Sequence, residues 1–197
     1  MLIPGCLLLF VFLITAYAFG QELKMGTARE LLAEAGGSSF VAVIGKLLPH
    51  FVINLALFYF YLFYVFAAMH FPHGGGVGEI LLLGFLSVTA SMGFGVFMFG
   101  LLPSLRMSMS MCSLWGVLSF SMVGTAFPTF AMDAPLEVLS ALFPLRHYFR
   151  LYQTCVFHSN PLVYDWPNIV ALIVFMLLPL LVMRNIKRAY KNYVYIS

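Results

Sequence analysis

Long apolar segments dominate this chain and restrict what it can fold into. Residues 2–19, 41–69, 80–102, 109–127 and 166–183 contain a single charged side chain between them. A helix of about 20 apolar residues is long enough to cross the hydrocarbon core of a bilayer. Only 9% of the residues are charged, whereas soluble domains carry about a quarter. The sequence therefore predicts one all-α, polytopic membrane domain over residues 1–197, with five spans in these ranges.

A polar island at residues 20–40 separates the first two apolar segments. Three of the seven acidic residues and three of the ten basic residues lie between positions 20 and 46. In a chain so poor in charge, this concentration indicates a segment that lies at the membrane surface. A soluble partner would meet the protein there.

The pattern inside the island predicts a short amphipathic helix at residues 27–35. Thr27 and Glu30 have the spacing of a capping box, in which each side chain bonds a free backbone N–H at the helix start. Gly36 and Gly37 follow as a stop signal. A helix this short is marginal alone in water, so it needs headgroups or a protein groove to rest on. A plain interfacial helix without a partner remains the alternative.

The basic residues predict the orientation of the chain. With five spans, eight of them fall on the side of the C-terminus and two on the other side. Lys and Arg collect on the cytoplasmic side of membrane proteins. We therefore expect the N-terminus outside, the island and the C-terminus in the cytoplasm, and residues 128–165 outside. The eight are Lys24, Arg29, Lys46, Arg106, Arg184, Lys187, Arg188 and Lys191, and the two are Arg146 and Arg150.

The external segment 128–165 is too polar and too often broken by proline to span the membrane. It holds an apolar run at 136–143, a length typical of an interfacial or re-entrant helix. Charged groups near membrane depth are candidate functional residues, with a solvated external cap as the alternative. The candidates, with the glycine and prolines that would supply breaks, are Gly124, Pro128, Asp133, Glu137, Pro144, Arg146, His147 and Arg150.

An ordered set of short motifs resembles the signature of ABC-2 type transporter permeases. That family typically has Glu-Arg-Glu-x-Gly-Thr, a Leu-Leu pair and a Gly-Lys that opens the next span. Ser-Gly, Phe-Pro, Met-Pro and Pro-Leu-Thr-x-Tyr follow. The chain departs from this pattern at Leu23, Lys24 and Val123. The matching positions are Glu22, Gly26, Thr27, Leu31, Leu32, Gly45, Lys46, Pro49, Gly124, Phe127, Pro128, Met132, Pro135, Pro144, Leu145 and Tyr148.

The resemblance implies an ABC-2 exporter-type transmembrane domain with a cytoplasmic coupling helix and an external re-entrant helical segment. It implies a homodimer or a heterodimer with a related permease, in the lipid of a bacterial inner membrane. ATP and Mg are expected on a separate ABC ATP-binding subunit, and this sequence has no GxxxxGK[ST] motif. Members usually begin with a further span, so the chain resembles their C-terminal five-span portion. The implied coupling residues are Glu22, Gly26, Thr27, Arg29, Glu30 and Leu31.

Three alternatives remain open on the sequence. One is a polysaccharide or lipid-carrier exporter of the same architecture, and another is a scaffold that transports nothing. The third is a membrane-embedded metal-dependent enzyme that uses His70, His73 or His147, although the residues between the first two do not set a helical face. No basic block interleaved with aromatics suggests nucleic-acid binding.

Two further patterns have two interpretations each. The aromatic run at residues 58–66 either faces lipid or lines a path for a lipid-like substrate. Gly93, Gly95 and Gly100 permit close helix contact, either at a dimer seam or inside the chain.

Overall fold

The computed structural model describes residues 2–71, 74–123, 133–158 and 160–192. These residues form α-helices joined by short turns, with no β-strand among them. The all-α prediction is therefore confirmed. In chain order the α-helices are α1 (Leu2–Met25), α2 (Ala28–Glu34), α3 (Ser39–Phe63), α4 (Val77–Leu101), α5 (Leu105–Met122), α6 (Ala134–Ser140), α7 (Pro144–Tyr152), α8 (Trp166–Leu177) and α9 (Pro179–Asn192).

Four helical segments in the described ranges are long and apolar enough to cross a membrane. They are Leu2–Met25, Ser39–Ala68, Val77–Leu101 and Leu162–Asn192. The second includes a π-helical turn after α3, and the last joins a 3₁₀ turn to α8 and α9. The predicted span at 109–127 coincides in part with α5, which is not one of the four. The five-span arrangement thus stays a prediction.

α4 lies at the centre of the bundle and packs against α1, α3, α5, α7, α8 and α9. Its glycines allow these close approaches. A Cβ at Gly93 would lie 2.7 Å from the Phe175 carbonyl oxygen, and one at Gly95 would lie 2.8 Å from that of Phe12. A Cβ at Gly100 would lie 2.5 Å from the Val182 Cβ. The small-residue series therefore serves packing inside the chain.

The helices run back and forth, so the bundle has two ends that differ in charge. The first end holds α2, the α4–α5 turn and the end of α9, because Gly20 lies against Leu105 and Gly100 against Val182. Eight of the ten basic residues of the sequence fall at this end. The second end holds α6 and α7, where Gly5 of α1 meets Phe149.

The aromatic run along α3 has two faces. Phe58 is 2% exposed, and its ring lies 6.2 Å from that of Tyr148. Phe60 and Phe63 are 70% and 66% exposed, so they project away from the bundle. The run therefore has a packed face and an outward face, and its use as a lipid surface or a substrate path stays a prediction.

Candidate functional site

α2 forms between glycines that turn the chain. Gly26, Gly36 and Gly37 have φ values of 78°, 62° and 76°, a region that costs side-chain-bearing residues energy. The Gly37 N–H donates to the Leu32 carbonyl at 2.8 Å and closes the helix end. The helix covers Ala28–Glu34, within the predicted range of 27–35.

The predicted capping box is wrong. Thr27 precedes α2 but has helical angles, φ −80° and ψ −6°, and its side chain makes no capping hydrogen bond. A cap needs an extended backbone to turn its oxygen toward the helix N–H groups. The Thr27 hydroxyl instead donates to the Glu22 carboxylate, because the last turn of α1 brings this charged acceptor within reach.

The Glu22 carboxylate also accepts a hydrogen bond from the Lys46 ammonium, and the two form an ion pair. The side chains are 21% and 14% exposed, so the pair is largely shielded from water. The Lys46 Nζ lies 6.0 Å from the centre of the Phe19 ring, a cation–π distance. This pair joins the end of α1 to the start of α3 across the whole island.

A buried apolar cluster, which we call the α2 seat, lies under the inner face of α2. From α2 itself, Ala28 and Leu32 enter the cluster at 3% and 4% exposure. Leu23, where the sequence departs from the family signature, is 4% exposed inside it. The α2 seat consists of Phe19, Leu23, Ala28, Leu32, Val43, Val96, Phe99, Val182, Ile186, Ala189 and Tyr190.

The outer face of α2 is charged and free. Arg29, Glu30 and Glu34 are exposed, and none has an ion pair or hydrogen bond through its side chain within the described ranges. Leu31 is half-buried at the edge of the α2 seat. A helix with one face in the bundle and the other lined with unpaired charge can bind a second protein without unfolding.

The implied coupling residues thus fall into two groups. The Glu22 carboxylate accepts hydrogen bonds from Thr27 and Lys46, whereas Arg29 and Glu30 point away from the bundle. Sequence reasoning left out the contribution of α9 to the α2 seat. The signal was present as apolar positions at helical spacing in an otherwise basic tail, namely Val182, Ile186, Ala189 and Tyr190.

At the opposite end, part of the predicted charged cluster comes together. Arg146 is 3% exposed, and its Nη1 donates to the Glu137 carbonyl at 2.7 Å. Its Nη2 lies 3.5 Å from Glu137 Oε1, and an Arg150 nitrogen lies 4.0 Å from the same oxygen. Burial and the Arg150 charge lower the pKa of Arg146, while Glu137 acts in the opposite direction. Asp133 precedes α6 without a capping hydrogen bond from its side chain.

His147 links α7, on which it lies, to the turn before that helix and to α8. Its Nδ1 lies 2.6 Å from Asn168 Oδ1, and its Nε2 lies 2.8 Å from the Ala141 carbonyl. The Asn168 amide in turn donates to Asp165 at 2.6 Å. Both ring nitrogens are therefore engaged, which leaves neither free to bind a metal.

The other candidates predicted for this end are only partly described. His73, Gly124 and Pro128 lie outside the described residues, while Pro144 begins α7 as expected of a break. Among the residues that the structure describes, no three His, Cys, Asp or Glu side chains are grouped to hold a metal ion. Whether α6 and α7 enter the membrane as a re-entrant pair stays a prediction.

The long apolar helices define a class, the multi-pass helical membrane proteins. A family model described as "ABC-2 family transporter protein" matches residues 1–183. The chain belongs to this family and is a multi-pass permease subunit of an ABC transporter. Neither a curated protein nor a solved structure matches it.

Proposed function

We propose that this permease exports its substrate from the cytoplasm, and that α2 is the coupling helix on which a separate ATP-binding subunit acts. The observation that carries the proposal is the division of α2 into two faces. Ala28 and Leu32 are buried in the bundle, while Arg29, Glu30 and Glu34 are exposed and unpaired in the described part of the chain. Partner binding and attachment to the spans therefore use different side chains.

Force on α2 would reach several spans at once. The α2 seat draws side chains from α1, α3, α4 and α9. The Glu22–Lys46 pair adds a polar connection between α1 and α3, and Thr27 joins α2 to it. Since packed interiors transmit displacement instead of absorbing it, a tilt of α2 would be passed to these helices. The glycines that flank α2 allow such a tilt.

Charge distribution supports a cytoplasmic location for α2. Eight of the ten basic residues fall at its end of the bundle, and such an excess marks the cytoplasmic side. An ATP-binding subunit would approach from this side with its ATP and Mg. The permease would work as a homodimer or a heterodimer in a bacterial inner membrane, with α6 and α7 at the external exit.

Charge reversal on the outer face of α2 tests the proposal. We expect the double variant Arg29→Glu, Glu30→Lys to lose co-purification of the ATP-binding subunit and ATP-dependent transport in vesicles. Its melting temperature should stay that of the native chain, because neither side chain packs in the bundle. Asp133→Lys, a charge reversal at the opposite end, is the matched control and should retain the ATP-binding subunit.

Two results would contradict the proposal. One is equal recovery of the ATP-binding subunit with the double variant and with the native chain. The other is labelling at position 34 of a Glu34→Cys variant, located by mass spectrometry, with an impermeant thiol reagent added outside intact cells, because no cytoplasmic motor could then reach α2.

A further inference from the structure

An apolar groove runs along the outside of the bundle between α3, α4 and the α8–α9 junction. It has a volume of about 460 Å³, and its walls include Ile44 and Leu48 on one side and Leu180 and Met183 on the other. Thr89 is the one polar side chain among its lining residues, and its hydroxyl donates to the Phe85 carbonyl of its own helix at 2.8 Å. The groove therefore offers no unsatisfied polar group and suits a hydrocarbon chain.

Basic side chains follow directly at one end of this groove. Four residues along a helix return to nearly the same face about 6 Å further on. Arg184 follows Leu180 at this spacing, and Lys187 and Lys191 follow Met183. All three cations are exposed or half-exposed, and none has an ion pair or hydrogen bond through its side chain among the described residues.

We propose that this groove binds an anionic phospholipid. One acyl chain fills the apolar groove, and the phosphate lies against Lys187, with Arg184 and Lys191 beside it. Basic clusters between membrane helices attract anionic headgroups in this way. A zwitterionic lipid would fill the groove equally well but would leave the three cations uncompensated.

Charge also argues against a second copy of the chain in the groove. Each copy carries eight basic residues at this end of the bundle and three acidic ones, Glu22, Glu30 and Glu34. Glu22 is already paired with Lys46. Two copies joined along this face would bring like charges together, whereas an anionic lipid neutralises them.

The bound lipid would lie next to α2. Val43 lines the groove and belongs to the α2 seat, and Met183 lines the groove and packs against that cluster. A lipid in the groove should therefore stabilise this end of the bundle and raise the melting temperature of the protein, independently of any transport activity.

Thermal unfolding and native mass spectrometry of the purified chain test the headgroup contact. Phosphatidylglycerol and phosphatidylcholine with the same acyl chains are the two probes, added to the protein in neutral detergent. We expect phosphatidylglycerol to bind more tightly and to raise the melting temperature more. In the double variant Arg184→Gln, Lys187→Gln, the binding of phosphatidylglycerol should weaken about 30-fold, the effect expected when two basic side chains are lost at an anionic surface. Arg188→Gln is the control, since Arg188 lines a different cleft beside Gly100.

A second pair of variants tests the acyl-chain contact. Leu180→Trp fills the groove, whereas Leu181→Trp adds the same ring at the neighbouring position, which is 74% exposed and outside the groove. We expect loss of retained phosphatidylglycerol in the first variant alone. Equal binding of the two lipids, or equal losses in Arg188→Gln and the double variant, would overturn the proposal. A Leu180→Cys disulfide between two chains in native membranes would also overturn it, because a second copy would then occupy the groove.

Discussion

Exposed charge on α2, at one end of the bundle, contrasts with buried polar groups on α7, at the other end. At the α2 end, the charges of Arg29, Glu30 and Glu34 project from the surface without internal partners within the described ranges. At the other end, Arg146 and His147 turn inward and are 3% and 8% exposed. Free charge suits an end that binds another protein, whereas internally satisfied charge fixes two short helices in place.

Thiol reactivity gives the largest expected contrast. Cys155 is fully buried beside Glu79, and burial followed by the carboxylate charge raises its pKa to about 11. The thiolate is the reactive form, so at pH 7.5 we expect alkylation about two orders of magnitude slower than that of an exposed Cys introduced as Glu34→Cys, whose pKa would be about 8.5. The Cys155 rate should keep rising to about pH 11, while the exposed thiol levels off earlier. Site-resolved mass spectrometry of iodoacetamide products measures both, and similar rates at pH 7.5 would disprove the burial of Cys155.

A single type of substitution compares the arginines at the two ends. Arg146→Met keeps an unbranched apolar stem but removes the donor to the Glu137 carbonyl and the charge beside the Glu137 carboxylate. We expect a loss of about 2 kcal/mol in the free energy of unfolding, since a hydrogen bond from a buried, charged donor is lost. Arg29→Met, on the exposed face of α2, should stay within about 0.5 kcal/mol. Unfolding of both variants in detergent tests this, and equal losses would mean that the contrast between the ends is wrong.

The two ion pairs reverse this contrast, because the better shielded pair lies at the α2 end and should be the stronger one. Glu22 and Lys46 are 21% and 14% exposed, whereas Glu137 and Arg150 are 55% and 39% exposed and 4.0 Å apart. A double-mutant cycle with Glu22→Gln and Lys46→Met should give a coupling energy of about 1–2 kcal/mol. The cycle with Glu137→Gln and Arg150→Met, with Arg146 unchanged, should give less than about 0.5 kcal/mol. An equally strong coupling energy at the exposed Glu137–Arg150 pair would mean that solvent does not weaken that pair, and the predicted difference would be wrong.

The sequence was enough for the features that depend on neighbours along the chain. Apolar runs of about 20 residues indicated the membrane helices, and Gly36 with Gly37 indicated the end of α2. The signal for a span at 109–127 is weaker, because serines alternate with methionines near the start of α5 and lower its apolar character.

Contacts between distant segments could not be predicted in this way. The role of Thr27 depends on Glu22 being held by Lys46, 24 residues further along the chain. The sequence pattern predicted a capping box, but the Thr27 hydroxyl donates to Glu22, whose carboxylate is held in place by the distant Lys46. Likewise, only the approach of α9 to α2 shows why Tyr190 is 1% exposed in an otherwise basic tail.

Removal of one hydroxyl at each end gives the smallest expected effect. Tyr190 in the α2 seat and Tyr148 in α7 are each 1% exposed, and neither hydroxyl has a hydrogen-bond partner among the described residues. Burying an unpaired hydroxyl costs free energy, so Tyr190→Phe and Tyr148→Phe should each leave the free energy of unfolding unchanged or raise it slightly. Leu substitutions at the same positions, which remove the ring, should cost more at both ends. A clear loss in Tyr190→Phe alone would indicate that its hydroxyl contacts the Glu22 carboxylate, and the polar connection between α1 and α3 would then extend to α9.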